Sequence, residues 1–298
     1  MRRWRAAAGS ALGVVADRPA LWLAGGLAWV ATVGWVPFVV AVVRPPTAAE
    51  LTYLGTGVWT SGMWPLNVVL GGLALVALTV VLLAAAALGN AALVRAVDGR
   101  SLKPADPGRL LVPALLGTVP VAIGLLALLI ALIAVGPAEF NRPQAEPGPM
   151  VRTAVRLAPI IVFTGVVGVL ASTLAGLAGR AALRAGGVIQ GIGTVAALVR
   201  RAGRAGLVHL AVSVAAAAAF LALAGLLVGV LWAPIRAQVA AGGGIDLAGG
   251  LLLVGFVAIW LCLVLAGGAL HAWASATATL LLERRSANEP DRPQQGRA

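Results

Sequence analysis

The chain has 298 residues, of which 60% are hydrophobic and only 11% charged, with a mean hydropathy of +0.98. Soluble domains carry about 25% charged residues, so this composition excludes a soluble globular fold. The net charge of +12 does not indicate nucleic acid as a partner: 21 of the 22 basic residues are Arg, and they fall in small groups between apolar runs instead of along one stripe.

The first element in chain order is residues 1–17. Trp4, Ala8, Ala11 and Val15 recur at i, i+4, i+7 and i+11, which makes one apolar stripe of a helix. A helix this short with such a stripe is expected to lie in the membrane interface instead of crossing the bilayer. Asp17 and Arg18 then precede an apolar run, 19–43, that is too long for a signal-peptide core, so it is expected to be a retained first span. Five more runs lack Asp, Glu, Lys and Arg: 64–94, 110–138, 157–179, 205–235 and 247–282. Each holds the ~20 apolar residues that a helix needs to cross a ~30 Å hydrocarbon core. They are continuous and rich in Ala and Leu, unlike the short alternating segments of a membrane barrel. The expected fold class is all-α: a polytopic membrane protein with six transmembrane helices and two interfacial amphipathic helices. It forms one transmembrane domain over residues 1–283. The polar stretch 284–298 is expected to be a disordered tail.

Between the fourth and fifth spans lies the second amphipathic segment, 188–201. Val188, Ile192, Val195 and Val199 form its apolar stripe, and Gln190, Thr194 and Arg201 lie on another face. Gly203 and Gly206 let the chain turn into the next span. Arg200, Arg201 and Arg204 are expected to act as headgroup anchors, because a cation near anionic lipid is worth ~1 kcal/mol. With six spans, 17 basic residues fall on the side of both termini and 5 on the other. By the positive-inside rule the termini are cytoplasmic, in the inner membrane of a bacterium. Trp35, Phe38, Tyr53, Trp59, Trp64 and Trp232 cluster at the outer ends of the spans, where amphipathic rings sit at headgroup level.

The two amphipathic segments match at an offset of 184, Trp4/Ala8/Ala11/Val15 against Val188/Ile192/Val195/Val199. Each leads into a span, an outer loop and a long second span. The chain therefore reads as an internal repeat around a central hairpin of spans three and four. The stretches "WRAAAGSALGVVADRPALWL" and "IGTVAALVRRAGRAGLVHL" carry a resemblance to the multi-span membrane domain found in some bacterial glycerophosphodiester phosphodiesterases and in related stand-alone membrane proteins. The catalytic barrel of those enzymes has no counterpart in this sequence. The resemblance therefore implies a membrane architecture and no chemistry.

Residues that could carry chemistry are sparse. His209 and His271 are the only histidines, with no acidic residue near either in sequence, and Cys262 is the only cysteine. No metal, cofactor or catalytic set is expected from these. A candidate polar patch stands at the cytoplasmic mouth. His271, Ser275 and Thr279 share one helical face at i, i+4 and i+8, Asn90 sits in the second span about where His271 sits in the sixth, and His209 lies near the cytoplasmic end of the fifth. Acidic residues appear scattered among the loops, so no acid–base pair for a lipid enzyme is visible. The expected function is a non-enzymatic scaffold or accessory membrane subunit. Its partners are the bilayer, anionic headgroups, and other membrane subunits or a second copy; nucleic acid is not among them. The alternative is a permease-like subunit, for which Thr79, Thr118 with Pro120, Thr164, Ser172, Thr173 and Ser213 are the candidates for a polar path inside the spans.

Overall fold

The computed structural model describes residues 2–42, 62–63, 66–142, 146, 148–240 and 246–283. The tail 284–298, the outer-loop positions Tyr53 and Trp59, Trp64 and the side chain of Arg201 lie outside the described residues. The described residues contain helices and their connections and no strand. Without water in the bilayer, a backbone satisfies its own hydrogen bonds most economically as helix. The helices are α1 (Arg2–Ala16), α2 (Ala20–Trp29), α3 (Val36–Val42), α4 (Leu66–Val97), α5 (Asp106–Phe140), α6 (Pro149–Ala185), α7 (Val188–Ala240) and α8 (Leu247–Glu283).

Five stretches are long and apolar enough to cross a membrane: Val69–Val97, Asp106–Gly136, Val151–Ala185, Gly203–Ala240 and Leu247–Leu282. The first expected span, 19–43, does not form one such helix. Its 10-residue α2 passes into a π-helical turn, Val30–Gly34, and then into the 7-residue α3. Pro37 is the local reason. It has no N–H to give, and its ring crowds the carbonyl four residues back, at Val33. Thr32 donates its hydroxyl to Ala28 O at 2.8 Å and Trp29 O at 3.1 Å, which occupies carbonyls beside the changed register. Helix α7 is also interrupted: Gly203, with φ 51° and ψ −143°, separates a short helix, Val188–Arg200, from the long apolar one. That conformation suits a residue without Cβ.

The chain divides into two compact units. One comprises Met1–Pro45, Val81–Gly108 and Gly193–Ala298; the other comprises Pro46–Val80 and Arg109–Ile192. In the first unit, α2 packs backbone to backbone. A Cβ on Gly89 of α4 would stand 2.5 Å from Ala24 O, and one on Gly268 of α8 would stand 2.5 Å from Gly26 N. Small residues at such crossings let helices approach where lipid offers no hydrophobic gain from association. One end of the unit is a cluster of Ala11, Val15, Leu21, Leu93, Ala272 and Ala276, which joins α1, α2, α4 and α8. The other is aromatic: Phe38 lies against Phe256 and Trp260, and Trp232 against Phe256, with centroids 5.2–6.0 Å apart. Two of the rings expected at the outer edge, Phe38 and Trp232, therefore pack on other rings.

In the second unit, α5 and α6 run antiparallel along a seam of small residues. Gly117 meets Ala171 and Ala175, Gly168 meets Val121, and Gly124 meets Thr164. At the end of α6, Gly186 takes a left-handed conformation (φ 80°) and donates its N–H to Ala182 O, a common helix stop. The chain reverses at once, because Gly191 sits directly against the backbone of Ala182.

Candidate functional site

Helix α1 and the link that follows it are fastened to neighbouring helices by four side-chain hydrogen bonds. Trp273 Nε1 donates to Ala8 O at 3.1 Å, Trp22 Nε1 to Val15 O at 2.9 Å, Arg18 Nη1 to Ala96 O at 3.0 Å and Arg3 Nη2 to Leu281 O at 3.1 Å. The two arginines reach carbonyls in the last turns of α4 and α8, which have no partner within the helix. The apolar stripe of α1 is thus covered by protein: Ala8, Ala11 and Val15 are buried, as is Ala7 beside them, and Trp4 is half-buried.

Below this strap the structure joins two residues of the candidate patch. Asn90 Nδ2 donates to Ala86 O at 2.9 Å, one turn back in α4. That orients the amide so that Oδ1 faces α8, where it lies 3.0 Å from His271 Nε2. Oδ1 can only accept, so His271 Nε2 carries a proton. Ser275 and Thr279 are buried on the same helix, and Thr279 returns its hydroxyl to Ser275 O at 2.9 Å. His209 pairs within α7 instead, 3.4 Å from Ser213 Oγ. The Asn90–His271 bond joins α4 to α8. Of the expected anchors, Arg200 and Arg204 are exposed, and Arg200 Nε donates to Ala196 O at 3.3 Å.

Two ion-pair groups were not legible as such in the sequence. Arg95, at the end of α4, meets Asp106, the first residue of α5, through two parallel hydrogen bonds of 2.7 Å, and both side chains are buried. The Lys103 N–H adds a third hydrogen bond to Asp106 at 2.9 Å. The pair folds the link over Gly99, whose φ of 65° follows the helix stop. At the opposite end of the α5–α6 hairpin, Glu139 accepts from Arg152 Nε at 2.7 Å and lies 2.9 Å from Arg156 Nε. Arg152 Nη2 also donates to the carbonyls of Glu139 and Arg142. The Arg152 hydrogen bond holds the Glu139 carboxyl below the usual carboxylate range. Burial opposes that shift, and the charges of Arg156, Arg152 and Arg142 support it. The available signal was topological: each acid stands at a helix end, across a short link from an Arg at the next helix end.

Cys262 is exposed on α8, and among the described residues no three of His, Cys, Asp and Glu are grouped as metal ligands would be. Among the described residues, polar side chains cap helix carbonyls, pair charges and form the Asn90–His271 bond. In the comparisons with known proteins, no family model, curated protein or solved structure matches this chain.

Proposed function

We propose that this chain is a non-enzymatic integral membrane protein, a scaffold or accessory subunit of the bacterial inner membrane. In this reading it crosses six times, with the helices Arg2–Ala16 and Val188–Arg200 at the cytoplasmic edge and both termini cytoplasmic. The sixth crossing is Ala20–Val42. Its helical pieces of 10, 5 and 7 residues, at ~1.5 Å each, reach the ~30 Å of a bilayer core. The order of elements is that of the phosphodiesterase-associated membrane domain, which is proposed as its relative in architecture alone.

The observation that carries the reading is the use made of polar side chains within the apolar helices. Thr79, Thr118, Ser172, Thr173, Thr277 and Thr279 donate to carbonyls three or four residues back, and Asn90 and His271 bond to each other. The hydroxyls are satisfied within their own helices and the Asn90–His271 bond links α4 to α8, so none of these groups is left to line a polar path. A second reading, a permease-like subunit, draws on Thr164. Its hydroxyl is buried against Gly124 with no hydrogen-bond partner among the described residues, one turn from Pro120 in the facing helix.

Cross-linking of the tagged chain in native membranes separates the two. The scaffold reading expects a complex of fixed stoichiometry, with a membrane subunit or a second copy. A monomer that moves solute in proteoliposomes, and loses this with Thr164→Val, would replace it with the permease. For sidedness, single cysteines at Ser286 and Thr56 in a Cys262→Ser background should be shielded and labelled, respectively, by an impermeant thiol reagent on intact cells. Labelling at 286 alone would reverse the orientation.

A further inference from the structure

We infer that the helix Val188–Arg200 is a lipid-binding surface, its apolar stripe seated at the headgroup–acyl boundary of an anionic leaflet, and that α1 has no such role. The inference rests on the membrane reading above. The two helices match in sequence and differ in what covers them. The stripe of α1 lies on the cluster with α2, α4 and α8. In the second helix only Gly191 is buried, and the side opposite Gln190 stands open: Ile189 is 87% exposed, Ile192 43% and Val199 44%. Ile189, Ile192, Ala196 and Val199 recur at i, i+3, i+7 and i+10, a continuous stripe.

Two observations say what covers it. Each end of the helix is joined through a positive-φ glycine, Gly186 at 80° and Gly203 at 51°, to a helix long and apolar enough to cross a membrane. A segment of about 20 Å (at ~1.5 Å per residue) tied at both ends to membrane crossings is held at the bilayer surface. The second observation is charge: Arg184, Arg200 and Arg204 are exposed at its two ends. An apolar stripe bounded by cations is complementary to acyl chains below and phosphates beside it. A protein partner would need neither the tethering nor the cations.

The test uses the full chain in a Cys262→Ser background, reconstituted into vesicles of phosphatidylglycerol and phosphatidylcholine. An environment-sensitive fluorophore is placed on a single cysteine at Ile192, at Gln190 on the other face, or at Leu125, exposed midway along α5. Lipids with a quencher high on the acyl chain should quench at least twofold more at 192 than at 190. Leu125 should respond best to a quencher placed deep. Replacing Arg200 and Arg204 with Glu should lower the quenching at 192 at least twofold in phosphatidylglycerol, and replacing both with Lys should preserve it, because a point charge suffices at a lipid surface. Equal quenching at 190 and 192 overturns the inference. So does a label at 192 that is shielded from lipid and becomes accessible only as the vesicles are diluted in protein, which would put a second copy on the stripe. If Leu125 is not quenched by either lipid, the membrane reading itself fails.

Discussion

Two segments of this chain share a pattern and receive different treatment. Helix α1 and the helix Val188–Arg200 carry matched apolar stripes, and both precede apolar helices. In α1 the buried residues include Ala7, Ala8 and Ala11, and Ala11 packs in one cluster with Ala272 and Ala276 of α8. In the second helix Ile192 and Val199 of the matched stripe are exposed while Val188 and Val195 are half-buried, and the open face runs through Ile189, Ile192, Ala196 and Val199. Side-chain size separates the two outcomes. Alanines permit close helix packing, whereas a bulky stripe yields more free energy when it enters lipid, at ~25 cal/mol per Å² removed from water.

The largest expected effect comes from undoing the platform under α1. Asp106→Ala leaves Arg95 buried without its carboxylate beside Leu93 and Val94. Breaking a buried pair in this way costs about 3–5 kcal/mol. The thermal midpoint in detergent should fall sharply, and α1 should become protease-sensitive. A variant as stable as the parent would show that the pair does not hold the platform.

Exchanging matched residues addresses the contrast directly. Ala8→Ile gives α1 the residue of its counterpart, against a buried position whose carbonyl receives Trp273. Overpacking there should cost ~1–3 kcal/mol. The reverse change, Ile192→Ala, should fall within ~0.5 kcal/mol in detergent, as exposed substitutions do. Equal costs at the two positions, measured by thermal unfolding, would erase the distinction between the helices.

A smaller effect concerns Asn90 and His271, whose bond links α4 to α8. A double-mutant cycle with Asn90→Ala and His271→Ala should give a coupling of ~0.6 kcal/mol, with about 1.7 as the upper bound for such bonds in membranes. Strict additivity would mean that the bond contributes nothing to holding α4 on α8.

The smallest effect lies in the other unit, where it also serves as a control. Because Arg152 and its neighbours depress the folded pKa of Glu139, the carboxylate stabilises the hairpin above the ordinary carboxylate range, and that contribution is lost as pH falls through the depressed value. Midpoints of the parent and of Glu139→Gln should therefore converge at strongly acidic pH and separate near neutrality. A difference that stays constant down to the lowest pH would exclude this linkage.

Much of the fold was legible because hydropathy acts residue by residue. The run 110–138 lies within Asp106–Phe140, and 247–282 coincides with α8 to within one residue. The turn expected at Gly203 is there, since a residue without Cβ can take that backbone conformation unaided. Part of the candidate patch was also visible, because Asn90 and His271 stand out as polar residues at matching places in apolar helices. The ion pairs were not: Arg95 with Asp106 and Glu139 with Arg152 and Arg156 read as scattered charges until the helix ends face each other. The break within the run 19–43, expected as one continuous helix, was also missed, although Pro37 was its local marker.

The sequence by itself determined which segments are helical and which are apolar enough for a bilayer, since helix hydrogen bonds close within four residues and transfer free energy is a property of each side chain. The tertiary structure alone decided what each apolar stripe touches. The strap on α1 depends on Trp273 and Leu281, 265 and 278 residues from Ala8 and Arg3. Two segments with one period can be told apart only by the surface that folding brings against them, and that surface is assembled from residues at the far end of the chain.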